Sequence, residues 1–138
     1  MTIYLLDADV LIALTIADHE HHARTSSWAS GITDFAVCPV VEGALVRFLV
    51  RVGEGAAVAQ QVLRAVHALP GCEFWPDSLS YAASDLDRVR GHRQVTDAYL
   101  VSLATGTVNA RLATLDEGLA QSHPERTLLI PPVPGSEG

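Results

Sequence analysis

Lysine is absent from this chain of 138 residues, and all nine of its basic side chains are Arg. Mechanisms that need a Lys ammonium are thereby excluded, among them the phosphate loop whose Lys holds the β- and γ-phosphates and Schiff-base chemistry on Lys. Cysteine is scarce. Cys38 and Cys72 are too few and too far apart for a metal ribbon or a disulfide scaffold, and both suit small buried residues in a reducing cytoplasm. Long hydrophobic runs are also missing, since no window reaches the roughly 18 apolar residues of a membrane helix. The apolar start is broken by Asp7 and Asp9 and has no basic flank, so no signal peptide is expected. Positive charge is in deficit: nine basic against 16 acidic residues leave −7, which argues against the basic surface of a simple nucleic-acid binder.

What is present is a globular composition, 49% hydrophobic and 18% charged, at the length of one domain. Short apolar runs rich in β-branched residues alternate with stretches of helical period, the pattern of an α/β domain with a parallel sheet. Strands are expected over 3–6, 35–38, 72–75, 111–115 and 128–130. Helices are expected over 10–16, 19–30, 41–52, 56–68, 80–88, 95–104 and 118–122, with Gly31, Gly53, Pro70-Gly71 and Gly106 as stops. The first strand is apolar throughout, as a central parallel strand covered on both faces should be. Residues 1–131 read as one domain, and the Pro-rich stretch 132–138 as a flexible tail.

Acidic residues fall at telling places. Asp7 closes the first strand, Asp9 follows just before a helix, and Asp116 ends the run Arg111-Leu112-Ala113-Thr114-Leu115. Sites collect at the carboxyl ends of strands in an open parallel sheet, although an acid there can also simply cap the next helix. Glu42 shares a helix face with Leu45, Val46 and Leu49, and Asp97 shares one with Leu100, Val101 and Ala104. Burying an ionised carboxylate without a partner costs several kcal/mol, so such groups are expected to be paired, protonated or metal-bound. Each also lies early in its helix, where the dipole alone favours an acid. Four elements each delivering one carboxylate to the same end of a sheet point to one shared function. Their mutual repulsion calls for a cation, and all-oxygen ligation suits Mg²⁺ or Mn²⁺.

The segments LLDADVLIAL, VVEGALVRFLV, GHRQVTDAYLVSLA and ARLATLDEGL resemble, in order and over nearly the whole chain, the PIN-domain ribonucleases and more closely the VapC toxins of bacterial type II toxin–antitoxin systems. The resemblance implies a three-layer α/β/α PIN-like fold around a mostly parallel sheet of four to five strands. It implies a catalytic quartet of Asp7, Glu42, Asp97 and Asp116 that binds Mg²⁺, with Mn²⁺ as a substitute, and hydrolyses RNA. Asp7 and Asp97 are then the expected metal ligands. Asp9 stands where many relatives carry Asn or Ser, which leaves open whether it joins the site or caps its helix. Thr114 shares the strand face of Asp116 and suits a hydrogen bond to a ligand carboxylate or a bound water, or is an ordinary strand Thr.

Arg47 and Arg93 are the expected RNA contacts, because Arg matches phosphate geometry, although both also suit a solvated surface. The run Asp18-His19-Glu20-His21-His22 lacks the i, i+4 His pair of a zincin helix and reads as a helix start with His22 facing inward. Partners implied by the resemblance are RNA, a VapB-type antitoxin and a second copy of the chain, with the antitoxin meeting apolar helix surface near Trp28, Phe48 and Leu49. The expected location is the cytoplasm. Two other readings compete: a PIN fold that acts only by binding, and a haloacid dehalogenase-type phosphatase suggested by Asp7-Ala8-Asp9. The latter is opposed by Leu11 and by the missing Lys.

Overall fold

The computed structural model describes residues 1–135. Five strands, β1 (Ile3–Leu6), β2 (Asp34–Val37), β3 (Cys72–Phe74), β4 (Ala110–Thr114) and β5 (Thr127–Leu129), form one sheet in the order β3-β2-β1-β4-β5. Every pairing is parallel. Parallel pairing requires crossovers, which are supplied by α1 (Ala8–Thr15), α2 (His22–Ala29), α3 (Pro39–Arg51), α4 (Ala56–His67), α5 (Val95–Thr105) and α6 (Glu117–Ser122). Right-handed connections running one way from β1 to β3, and the other way from β4 to β5, put α1 to α4 on one face and α5 and α6 on the other. The expected α/β/α sandwich results. Its order reverses between β1 and β4, and a crevice opens at the carboxyl ends of strands at such a switch point.

The core fills both sides of the sheet. Leu5, Leu6, Ala36, Val37, Leu112 and Ala113 are buried on the strands, against Val10, Leu11, Val41 and Leu45 from α1 and α3. Helix α5 is buried almost all round, through Ala98, Tyr99, Leu100, Val101, Leu103 and Ala104, so it is a central element rather than an amphipathic cover. Its first turn reaches the carboxyl end of the sheet with Asp97.

Strand positions agree with expectation to within a residue or so. The shifts are at the ends, where Trp75 N–H still donates to Val37 O and Ile130 N–H to Thr114 O, each at 2.9 Å. Three expectations are corrected. The helix over 80–88 is only a 3₁₀ turn at Tyr81–Ala83. Ser80 Oγ accepts from Ala82 N–H, Ser102 Oγ accepts from Asp85 N–H and Asp85 Oδ1 accepts from Asp87 N–H. Such local side-chain acceptors compete with helical bonding. The helix over 19–30 begins only at His22, because His19 Nδ1 accepts from His21 N–H and turns the preceding segment. His22 does turn inward, donating to Ala13 O at 2.8 Å. Leu49, expected at an exposed apolar patch, lies in the core. Trp28 is half-buried edge-on against Tyr4, and Arg51 sits over the Phe48 ring. Of the expected tail, 132–135 is exposed and outside any helix or strand, and 136–138 lies outside the described residues.

One glycine is demanded by the sheet. Gly71, just before β3, has φ +80°, and a Cβ there would lie 1.9 Å from the Thr33 carbonyl oxygen. Backbone would have to move to admit it. Gly71→Ala is therefore expected to destabilise the fold by about 2–3 kcal/mol. Urea unfolding should show a lower midpoint at unchanged slope, and an unaltered midpoint would refute the clash.

Candidate functional site

Register decides which side chains meet at the switch point. Leu6 of β1 lies opposite Ala113 of β4, and Asp7 N–H continues the ladder to Ala113 O at 2.9 Å. The next pair along is therefore Asp7 beside Thr114. Thr114 is fully buried and donates its hydroxyl to Asp7 Oδ2 at 2.7 Å. The same hydroxyl oxygen accepts from the Asp116 N–H at 3.1 Å. Thr114 thus ties the two acidic strand ends together, the hydrogen-bonding role that its place on the strand suggests.

Both of those acids also cap helices. Asp7 Oδ1 accepts from Ala8 N–H at 2.8 Å at the start of α1, and Asp116 Oδ1 accepts from Leu119 N–H at 3.1 Å at the start of α6. Capping and site-building are therefore combined here. Asp7 is only 5% exposed. Burial pushes its carboxyl above the usual range and the charge of Asp116 adds to this, while bonds from Thr114 and Ala8 pull the other way.

Two further acids face this pair. Asp9, in the first turn of α1, is pushed up to about 7 by burial and then by the Asp7 charge, against the pull of hydrogen bonds from the Leu115 and Val10 backbone, with Asp97 adding a smaller push. Asp97 is pushed up to about 7 by burial, then by Asp7 and Asp116. None of these acids joins the ion pairs found within 4.0 Å among the described residues. Asp9 Oδ1 is buried with no hydrogen-bond partner. A buried orphan acceptor beside mutually repelling carboxylates is the environment a hard divalent cation satisfies. The residues fit such an ion in donor type and charge. Among the described residues, however, no three His, Cys, Asp or Glu side chains form a closed metal-binding group.

The expected quartet is thus brought together in three of its members, with Asp9 as a fourth acid. Glu42 differs. It lies in the first turn of α3 with its side chain 16% exposed, and His67 Nε2 from α4 donates to its Oε2 at 2.5 Å. It is not among the charges that raise Asp7, Asp9 or Asp97.

A cleft of about 390 Å³ opens beside the acids, lined by Asp97, Asp116, Arg88, Gln94, Leu119 and His123 among others. Neither expected phosphate contact lines it. Arg47 is exposed on α3, folded back near Gly43, and Arg93 is exposed in the 3₁₀ turn His92–Gln94 before α5. Sequence reasoning misses Arg88, which periodicity places at the end of a helix that does not form. It also gives no signal for His67 or His123.

A PIN domain family model matches residues 4–122. The chain is 52% identical over 128 residues to Ribonuclease VapC29 of Mycobacterium tuberculosis, covering 92% of this chain and 96% of that one. Among solved structures, it is similar to VapC20 of Mycobacterium tuberculosis, described as a sarcin-ricin loop cleaving toxin. That match has a TM-score of 0.67 and 18% identity over 88% of this chain and 95% of that one. It is also similar to a chain of VapBC2 from Rickettsia felis bound to promoter DNA, with a TM-score of 0.64 and 14% identity over 93% and 98% of the two chains.

Proposed function

The chain belongs to the PIN-domain family, among its VapC ribonucleases, and from that premise we propose that it is the toxin of a type II toxin–antitoxin pair, an Mg²⁺-dependent endoribonuclease restrained by a VapB-type antitoxin. The observation that carries the metal-dependent reading is the meeting of Asp7, Asp9, Asp97 and Asp116 at the switch point, buried or mutually repelling and, among the described residues, with no ion pair within 4.0 Å to any of them.

Asp7 and Asp97 are the proposed ligands, with Asp116 and Glu42 completing the site directly or through water and Asp9 contributing its orphan oxygen. An ion bound there would supply a more acidic water and a counter-charge for the phosphoryl oxygens. Mn²⁺ satisfies the same donors. Thr114 fixes Asp7 in one rotamer through Oδ2, and the Ala8 N–H fixes it through Oδ1. The Leu119 N–H holds Asp116 at the cleft wall. This orientation by neighbours costs nothing further when substrate arrives. In-line hydrolysis leaves a 5′-phosphate and a 3′-hydroxyl.

Arg47 and Arg93 remain proposed outer contacts for the RNA backbone. The proposed working form is a homodimer that assembles with antitoxin in the cytoplasm. Among the described residues, no helix is long and apolar enough to cross a membrane. The deciding experiment expresses the intact chain and Asp97→Asn, then sequences RNA 5′ ends after induction. Discrete new 5′-phosphate ends are expected with the first and none with the second. Identical end profiles from the two would overturn the reading.

A further inference from the structure

We propose that Arg88 is the phosphate-binding residue of the cleft, taking an RNA backbone phosphate beside the one that is cut, and that His123 is the positioning residue that holds it there. The proposal rests on the ribonuclease reading above.

Among the described residues, Arg88 is the only Arg that lines the cleft shared by Asp97 and Asp116. Asp97 and Asp116 line the same cleft, yet Arg88 makes no ion pair within 4.0 Å among the described residues. Its Nη1 instead donates to two uncharged acceptors, Ser122 O and His123 Nδ1, each at 2.8 Å. Acceptance at Nδ1 requires the His123 proton to sit on Nε2, so the imidazole is neutral. Burial, then the charges of Arg88 and Arg126, hold the His123 pKa down and keep it so. The nearby Arg126 is spent on Asp85 at 3.3 Å. Arg88 also feels the Asp85 charge, but it is not closed into an ion pair, and its Nε and Nη2 make no hydrogen bond among the described residues; those two N–H groups make the fork that matches phosphate oxygens.

Both supports are rigid. His123 is 4% exposed and caps α6, and its carbonyl accepts from Arg126 N–H, Thr127 N–H and Thr127 Oγ1. The loop that carries Arg88 is tied down by Asp85 N–H to Ser102 Oγ at 3.0 Å and Val89 N–H to Leu86 O at 3.0 Å. A cation anchored through neutral groups at the mouth of an acidic site is arranged to receive an anion from outside.

The test follows cleavage of total bacterial RNA at the sites cut by the intact chain, under single turnover, to obtain the half-saturating protein concentration and the maximal rate across a salt series. Arg88→Gln is expected to raise half-saturation about 10-fold at unchanged maximal rate and to lower the slope of log affinity against log salt by about 0.7, one single-strand phosphate contact. Arg88→Lys, which keeps the charge and loses the fork, should recover part of the affinity and the salt slope. His123→Asn, which can still accept from Arg88, should bind more tightly than His123→Leu, with both checked for folding by thermal melting. Arg64→Gln, on the exposed face of α4, should match the parent chain. If the parent chain cuts RNA and Arg88→Gln keeps half-saturation and salt slope within twofold, or loses only maximal rate, the Arg88 assignment is overturned and the ribonuclease reading stands. If the parent chain cuts no RNA, both fall.

Discussion

Asp7→Asn is expected to lose RNA cleavage by at least about 10³-fold while melting at or above the temperature of the parent chain. The first half follows from removing an ionic oxygen ligand from a site where bound metal supplies several kcal/mol of charge stabilisation, since about 4 kcal/mol is a factor of 10³ in rate. The second half follows from what surrounds residue 7. An Asn carbonyl oxygen still accepts from Ala8 N–H, and its amide can donate to the Thr114 hydroxyl oxygen, although the Thr114 hydroxyl hydrogen then loses the acceptor it has in Asp7 Oδ2. What disappears is a buried charge that burial and Asp116 both disfavour. Function and stability should therefore move in opposite directions, as they do where a site is held against its own repulsion. Circular dichroism melting alongside 5′-end sequencing checks both. Full cleavage by the variant would refute the metal role, and a collapsed melt would refute the account of residue 7.

The parts legible in the sequence are those set by local pattern. An acid directly after an apolar strand is a local signal, and parallel order makes such strand ends neighbours, so pattern alone suffices to place Asp7 and Asp116 at one end of the sheet. Asp97 is legible by phase, since its helix is apolar on all sides and only its first turn can present an acid. Glu42 shows where phase stops. Sharing a face with Leu45 and Leu49 locates its side chain toward the core, but its partner His67 lies 25 positions away on the next helix, a distance no periodicity spans. Arg88 is hidden for a related reason. The stretch 80–88 carries helical spacing, yet its Ser and Asp side chains bind backbone N–H groups instead, so an apparent helix end becomes a cleft wall. Arg47 and Arg93 are close to the acids in sequence, while the Arg that lines the cleft with Asp97 and Asp116 is held by Ser122 and His123 at the end of α6. The net charge of −7 is the most misleading aggregate feature, because four of those charges are Asp7, Glu42, Asp97 and Asp116.

Acidification is expected to stabilise the metal-free protein and to weaken its hold on a divalent ion. Asp9 and Asp97 titrate at about 7 in the folded chain and near the ordinary carboxylate value of 3.8 when exposed. Between those limits the folded state binds protons that the unfolded state has released. Stability must then fall as pH rises through that window, the penalty being absent below about 3.8 and complete above about 7. The metal-free melting temperature should drop by at least about 5 °C from pH 5 to pH 8 through these groups. Binding Mg²⁺ or Mn²⁺ needs both carboxylates ionised, so affinity should rise over the same range by about 10⁴-fold, about 10² for each group. Calorimetric titration of the parent chain with Mn²⁺ in buffers of different ionisation enthalpy would count the released protons. Between about one and two are expected near pH 6.5, falling toward none by pH 9. The Asp7 charge helps raise both partners, so Asp7→Asn should flatten the pH dependence of melting as well as remove cleavage. A Mn²⁺ affinity that does not change with pH would show that these carboxylates do not share one ion.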